Sequence, residues 1–130
     1  KQNFADALYL MSQLEASESK IEEALAYAIE AIKSAPNDPA TYVQAGLLFY
    51  GKRDYENAVL ALRTALEKDQ NNPNIAYFLA LSLRDGGRPD LALPIAEELL
   101  RRNQGNTEIE QFLKSLTPAK EEKAPAVKTR

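Results

Sequence analysis

The chain has 130 residues, 45% of them apolar, enough for one domain with a buried core, and its formal net charge is −3. Cysteine and histidine are both absent. Disulfides, thiolate nucleophiles, Cys/His zinc sites, imidazole acid–base chemistry and His-ligated haem are therefore excluded together. The acidic balance offers no basic stripe of the kind nucleic-acid binding needs, and no apolar run is long enough to cross a bilayer.

The first apolar-periodic segment carries Leu8, Met11 and Ser12. Ser19-x-x-Glu22 is a capping-box pattern and predicts the start of a second helix, with Ala24, Ala28 and Ala31 along it. Asn37-Asp38-Pro39 then marks a turn, with Asp38 as N-cap and Pro39 in the first turn of the next helix.

That helix contains GLLFYGKR, residues 46–53, which fills seven of the eight positions of a nucleotide-binding P-loop. The P-loop needs a buried strand ahead of it and a Ser or Thr where Arg53 stands, to hold magnesium. Neither is present, and Leu47 to Tyr50 are helix or core residues. Gly46 instead reads as a glycine that lets two helices approach, Gly51 as the start of a turn, and Asp54 as the N-cap of the following helix. Asp54-x-Glu56-Asn57 lacks the alternating ligands, the central Gly and the terminal Glu of a calcium loop, so capping is the reading here too.

Asn71-Asn72-Pro73 repeats the turn and cap, and Gly86-Gly87 breaks the helix that follows. The next helix starts near Pro89 and contains Pro94, which removes one backbone hydrogen bond; a tolerated kink is one reading and a shaped contact surface the other. Arg101-Arg102 closes this helix, where cations offset the dipole. Residues 107–116 (TEIEQFLKSL) predict one more amphipathic helix with Ile109, Phe112, Leu113 and Leu116 on a face. From Thr117 onward, TPAKEEKAPAVKTR lacks apolar periodicity and reads as disordered. The acidic pairs Glu22-Glu23, Glu97-Glu98 and Glu121-Glu122 point about 100° apart on a helix and read as solvated faces, not catalytic dyads.

A period of 34 runs through these elements. It relates Ala24, Ala58 and Ala92, then Pro39 and Pro73, and the small residues Ser12, Gly46 and Ala80. With Tyr42, Gly46, Phe49, Asp54-Tyr55, Ala58, Leu62, Ala65 and Asp69-x-Asn71-Asn72, residues 39–72 resemble a tetratricopeptide repeat nearly throughout. Residues 5–38 match less fully, departing at Glu15 and Ala28, and residues 73–106 depart at Ala76, Ala96 and Gln104.

The resemblance implies an all-α, right-handed solenoid of three helix pairs (5–38, 39–72, 73–106), a capping helix over 107–116 and a disordered tail over 117–130. It implies a non-catalytic scaffold, without cofactor or metal, that binds a protein or peptide along a concave groove. By register that groove is lined by Tyr9, Gln13 and Ala16 from the first pair, Val43, Leu47 and Tyr50 from the second, and Tyr77, Leu81 and Arg84 from the third. The positions that clamp a chaperone's C-terminal carboxylate in some members are Tyr9, Gln13, Gln44, Asn74 and Phe78. None is basic, so an apolar peptide or partner helix is expected instead.

A second class of function is a structural or self-association module, in which Phe4, Leu8 and Leu14 meet another copy, as in a homo-oligomer, or an upstream repeat. The cadence of residues 37–93 also resembles bacterial tetratricopeptide domains attached to multi-span membrane proteins. That likeness implies an extramembrane domain on either face of the membrane. The start at Lys1 without Met fits a portion of a longer chain.

Overall fold

The computed structural model describes residues 17 and 20–117. Among these residues six helices follow one another: α1 (Ile21–Ser34), α2 (Pro39–Gly51), α3 (Tyr55–Lys68), α4 (Pro73–Asp85), α5 (Pro89–Arg102) and α6 (Thr107–Ser115). There is no strand among the described residues, and no helix there is long and apolar enough to cross a membrane. The helix expected within residues 5–16, with Tyr9, Gln13 and Ala16, lies outside the described residues, as does the tail beyond Thr117.

The 34-residue period holds down to individual backbone bonds. Within a pair, Asp54 N donates to Phe49 O at 2.9 Å and Arg88 N to Leu83 O at 2.7 Å. Arg53 N donates to Tyr50 O and Gly87 N to Arg84 O, at 2.9 and 3.1 Å. Between pairs, Asp38, Asn72 and Asn106 donate to Ala35, Asp69 and Asn103 at 3.1, 3.2 and 3.1 Å. One turn chemistry therefore closes each break, and the helices must fold back in the same sense each time.

The caps follow the sequence. Asp38 accepts from Ala40 N, Asn72 from Asn74 N and Ile75 N, Asp54 from Asn57 N, and Asn106 from Ile109 N. Each satisfies helix N–H groups otherwise left open and contributes about 1 kcal/mol. Pro39, Pro73 and Pro89 occupy first-turn positions, where a missing N–H costs nothing.

Lys20 stands at the N-cap of α1 with no side-chain bond, and Ser19, on which the expected capping box rests, lies outside the described residues. One local expectation is corrected. Gly51 ends α2 instead of starting the turn, and the left-handed residue of that turn is Arg53, with φ 65°. Gly46 to Gly51 are helical, so the P-loop spelling has no loop to act through.

Sequential helices pack on each other throughout, and α2 also touches α4. One core joins α4, α5 and α6 to Leu47 and Leu62; a smaller one lies between α1 and α2 around Ile21, Leu25, Ala45 and Leu48. Ala58, Ala65, Ala80, Ala92 and Ala96 have no exposed surface; their small side chains let the helix axes come close. Pro94 is accommodated within α5 and faces a cavity of about 400 Å³ shared with Leu66, Pro73 and Ile95.

Candidate functional site

The first helices of successive pairs, α2 and α4, stand side by side and α6 follows them. The residues expected to line their common face divide into two groups. Leu47, Tyr77 and Leu81 are 4, 6 and 8% exposed and belong to the core. They do not offer open anchor surfaces, which corrects the expectation for these three. Val43 and Tyr50 pack on the core but stay partly exposed, and Arg84 does likewise.

The physical reason lies in α6. Its Phe112 ring sits 5.4 Å from the Tyr77 ring, and the Arg84 guanidinium lies 4.9 Å over the same Phe112. The capping helix therefore stands where a further first helix would, and the face of α4 is used to hold it. Leu47, one pair earlier, is covered in turn by the residues of α4 in the same core.

What remains open is organised by a polar chain. The Tyr50 hydroxyl donates to the Asp85 carboxylate. The other Asp85 oxygen accepts from Arg84 Nε at 2.9 Å. Arg84 Nη1 donates to Ser115 Oγ at 3.0 Å, and Ser115 Oγ donates to the Phe112 carbonyl at 2.5 Å. One chain of bonds thus couples α2 to α4 and α4 to α6. The Tyr50 ring also meets Tyr55 edge-on, with centroids 5.3 Å apart.

Asp85 is the member that sequence reasoning missed. It lies 34 residues after Gly51, where the preceding pair has no side chain at all; an acid next to Arg84 at the end of a groove helix was the available signal.

Burial, then the hydrogen bond to Asp85, raises the Tyr50 pKa above the ordinary tyrosine range. Burial, then the nearby Glu108, raises that of Tyr77. Both rings are therefore held neutral, and Asp85 accepts from two donors. Among the described residues no cluster of acidic side chains could hold a metal ion. Of the clamp positions described, Gln44 is exposed, Phe78 is 3% exposed in the core, and Asn74 Oδ1 is a buried acceptor with no protein donor.

Comparison with known proteins gives a consistent picture. Two tetratricopeptide-repeat family profiles match, over residues 43–107 and residues 5–38. Among solved structures, the chain superposes with a TM-score of 0.70 on YrrB, described as a TPR protein with an unusual peptide-binding site. The two share 24% identity over 88% of this chain, which spans 58% of the length of that protein. The likeness is one of fold. No curated protein sequence matches the chain.

Proposed function

The chain belongs to the tetratricopeptide-repeat family, a family of protein-interaction scaffolds that are generally non-catalytic, and from that premise we propose that it binds a peptide or partner helix along the face of its first helices. Within the described residues the binding surface consists of Val43, Tyr50 and Arg84, with Asp85 fixing the last two; Tyr9 and Gln13, expected there by register, lie outside the described residues. The observation that carries this reading is the Tyr50–Asp85–Arg84 chain. It holds an aromatic ring and a guanidinium in fixed positions on a partly exposed face, and pre-organised rings and arginines give contact area and polar recognition at low entropic cost.

The surface differs from the purely apolar groove expected from sequence. It combines Val43 and the Tyr50 ring with a charged pair, so the partner should carry an apolar anchor beside a polar or acidic group. Selection from a displayed random-peptide library on the wild-type protein, followed by titration of the selected peptides, tests this. Val43→Asp and Tyr50→Ala should each weaken the selected peptides about tenfold or more, the size expected for a central interface residue. Peptides that bind both variants as they bind wild type would place recognition elsewhere.

A further inference from the structure

The cavity of about 400 Å³ beside Pro94 lies between the end of α3, the start of α4 and the later half of α5. None of its lining residues belongs to the Val43, Tyr50 and Arg84 surface. Leu66, Pro73, Ala76, Ile95 and Leu99 form its apolar walls, and the exposed Gln70, Asn71, Glu98 and Arg102 stand at its mouth. An apolar wall with a few polar groups at the entrance is the usual make-up of a ligand pocket.

The 34-residue period shows which group this place lacks. Ala76 and Arg102 are the equivalents of Tyr42 and Lys68 in the preceding pair. There the Tyr42 ring is half-buried, with Lys68 Nζ 5.7 Å from its centre. In α4–α5 the cation is kept, as Arg102, and the ring is gone, since Ala76 ends at its Cβ. Ile95 and Leu99 are larger than their equivalents Ala61 and Ala65, which makes the walls more apolar, yet a cavity remains.

Arg102 is held in place at the mouth. Its Nε donates to Glu98 at 2.8 Å and its Nη1 to Asn71 Oδ1 at 3.0 Å. Both bonds run along the edge of the guanidinium and use none of its flat face, the part that stacks on aromatic rings. Glu98 and Arg102 are the charged residues of the lining and pair with each other, so the mouth selects no ion. Gln70 makes no side-chain hydrogen bond among the described residues, and Asn71 keeps its amide donor. Both are open to a peptide backbone passing over the mouth.

We propose that this cavity receives the aromatic side chain, Tyr or Phe, of a protein partner. The ring takes the place that Tyr42 fills one pair earlier, against Leu66, Ile95 and Leu99, and Arg102 plays the part of Lys68. An apolar cavity of about 150 Å³ already holds benzene, so this one has room for a ring and the carbon that carries it. The source is a side chain because the ring that the repeat omits is itself a side chain, and because the open amides of Gln70 and Asn71 suit a backbone.

The test is a methyl-detected NMR titration of the full chain with three probes. These are p-cresol, which is the tyrosine side-chain group alone, its saturated counterpart 4-methylcyclohexanol, and the pentapeptide Gly-Ser-Tyr-Ser-Gly. p-Cresol and the pentapeptide should both shift the methyl signals of Leu66, Ile95 and Leu99, with p-cresol saturating at a dissociation constant of about 1 mM or below. 4-Methylcyclohexanol should bind about two- to fivefold more weakly, the size of an exposed cation–π contact. Arg102→Gln should weaken p-cresol by that same factor and leave 4-methylcyclohexanol unchanged. Ala76→Tyr supplies the ring from within, so it should lose all three probes while its melting midpoint stays the same or rises. Val43→Asp, aimed at the first-helix surface, should leave the titrations as they are in wild type. The proposal is overturned if p-cresol leaves the three residues unmoved, if the saturated alcohol binds as tightly, or if Ala76→Tyr binds as wild type does. It is overturned equally if p-cresol binds and the pentapeptide does not, since the site would then take free aromatic molecules and no side chain.

Discussion

The pairs α2–α3 and α4–α5 are built to one plan and differ in what surrounds them. In α2 four residues are buried, Ala45 to Leu48; in α4 eight are, Ile75 and Tyr77 to Leu83. The difference does not come from hydrophobicity, since α2 is itself mostly apolar. It comes from neighbours: α4 is packed by α3 and α5 and by α2, and α6 closes it through Phe112. In a solenoid each helix is buried by the next repeat, so position in the stack decides how much of an apolar face is left to bind anything else. The partly exposed Val43 and Tyr50 of α2 mark where that cover thins.

The contact inside each pair is also solved in two ways. In the first, Gly46 faces Leu62 so closely that a Cβ on the glycine would lie 2.6 Å from Leu62 Cγ and 2.9 Å from Cδ2. The equivalent places in the second hold Ala80 and Ala96, both with no exposed surface. A glycine against a leucine places four side-chain carbons at the contact, and an alanine against an alanine places two. Part of the volume absent at Ala96 is returned by the methyl of Ala80, where the first pair has Gly46.

The largest way to break the comparison is a charge at the shared alanine. Ala58→Asp and Ala92→Asp each bury an unpaired carboxylate at a fully closed helix contact, and each should cost about 3 kcal/mol or more. Thermal melting measures it. An unchanged midpoint in either would mean that its pair opens without loss, and that the two pairs are not equivalent.

Next in size is Gly46→Ala. The added methyl meets a leucine that has no room to leave, at a cost of about 1–3 kcal/mol, less about 1 kcal/mol regained in helix propensity. In a Leu62→Ala background the same substitution should become neutral or stabilising, reproducing the alanine pair of α4–α5. Urea unfolding of the four proteins gives the coupling directly; additive effects would show that the two residues do not oppose one another.

Smaller again are the two turns. Arg53→Gly should stabilise and Gly87→Ala destabilise, each by about 1 kcal/mol, because one removes and the other creates a left-handed non-glycine residue. A Cβ at Gly87 would meet nothing within 4 Å, so its effect is one of backbone alone. Opposite shifts in chemical denaturation midpoint are the expected reading, and equal signs would mean the turns are not the same structure.

The smallest effect is on alkaline stability. The folded-state pKa of Tyr50 is raised above its unfolded value of about 10, so its contribution is intact below that value and is lost as the pH climbs beyond it. Tyr50→Phe removes this titration and should make the loss of stability above pH 10 shallower, while Tyr77, shifted in the same direction, keeps it from vanishing. A pH series of denaturation midpoints decides it; an identical alkaline limb would mean that Tyr50 ionises as freely in the fold as in the unfolded chain.

The fold was legible because its information is local. Helix starts at Asp38, Asp54, Asn72 and Asn106, first-turn prolines, paired glycines and a 34-residue spacing of small residues each act within a few positions of the chain, and caps and turns need no distant partner. The one left-handed arginine escaped notice because nothing in its side chain advertises φ. Which groove residues stay open was not legible. Val43 and Tyr77 share a register position, which the spacing treats alike, yet Tyr77 is buried and Val43 stays partly exposed, because exposure is fixed by what packs against each from the next helix.

Sequence by itself determined that this chain is a stack of helix pairs, because periodicity, capping and close-packed small residues are properties of each segment. Only the tertiary structure decided that Tyr77 and Leu81 belong to the core and that Asp85 ties Tyr50 to Arg84. Those outcomes depend on residues 31 to 35 positions apart or more coming together across helices, and which side chains such a meeting covers or leaves free is set by the neighbouring surface, not by the segment that carries them.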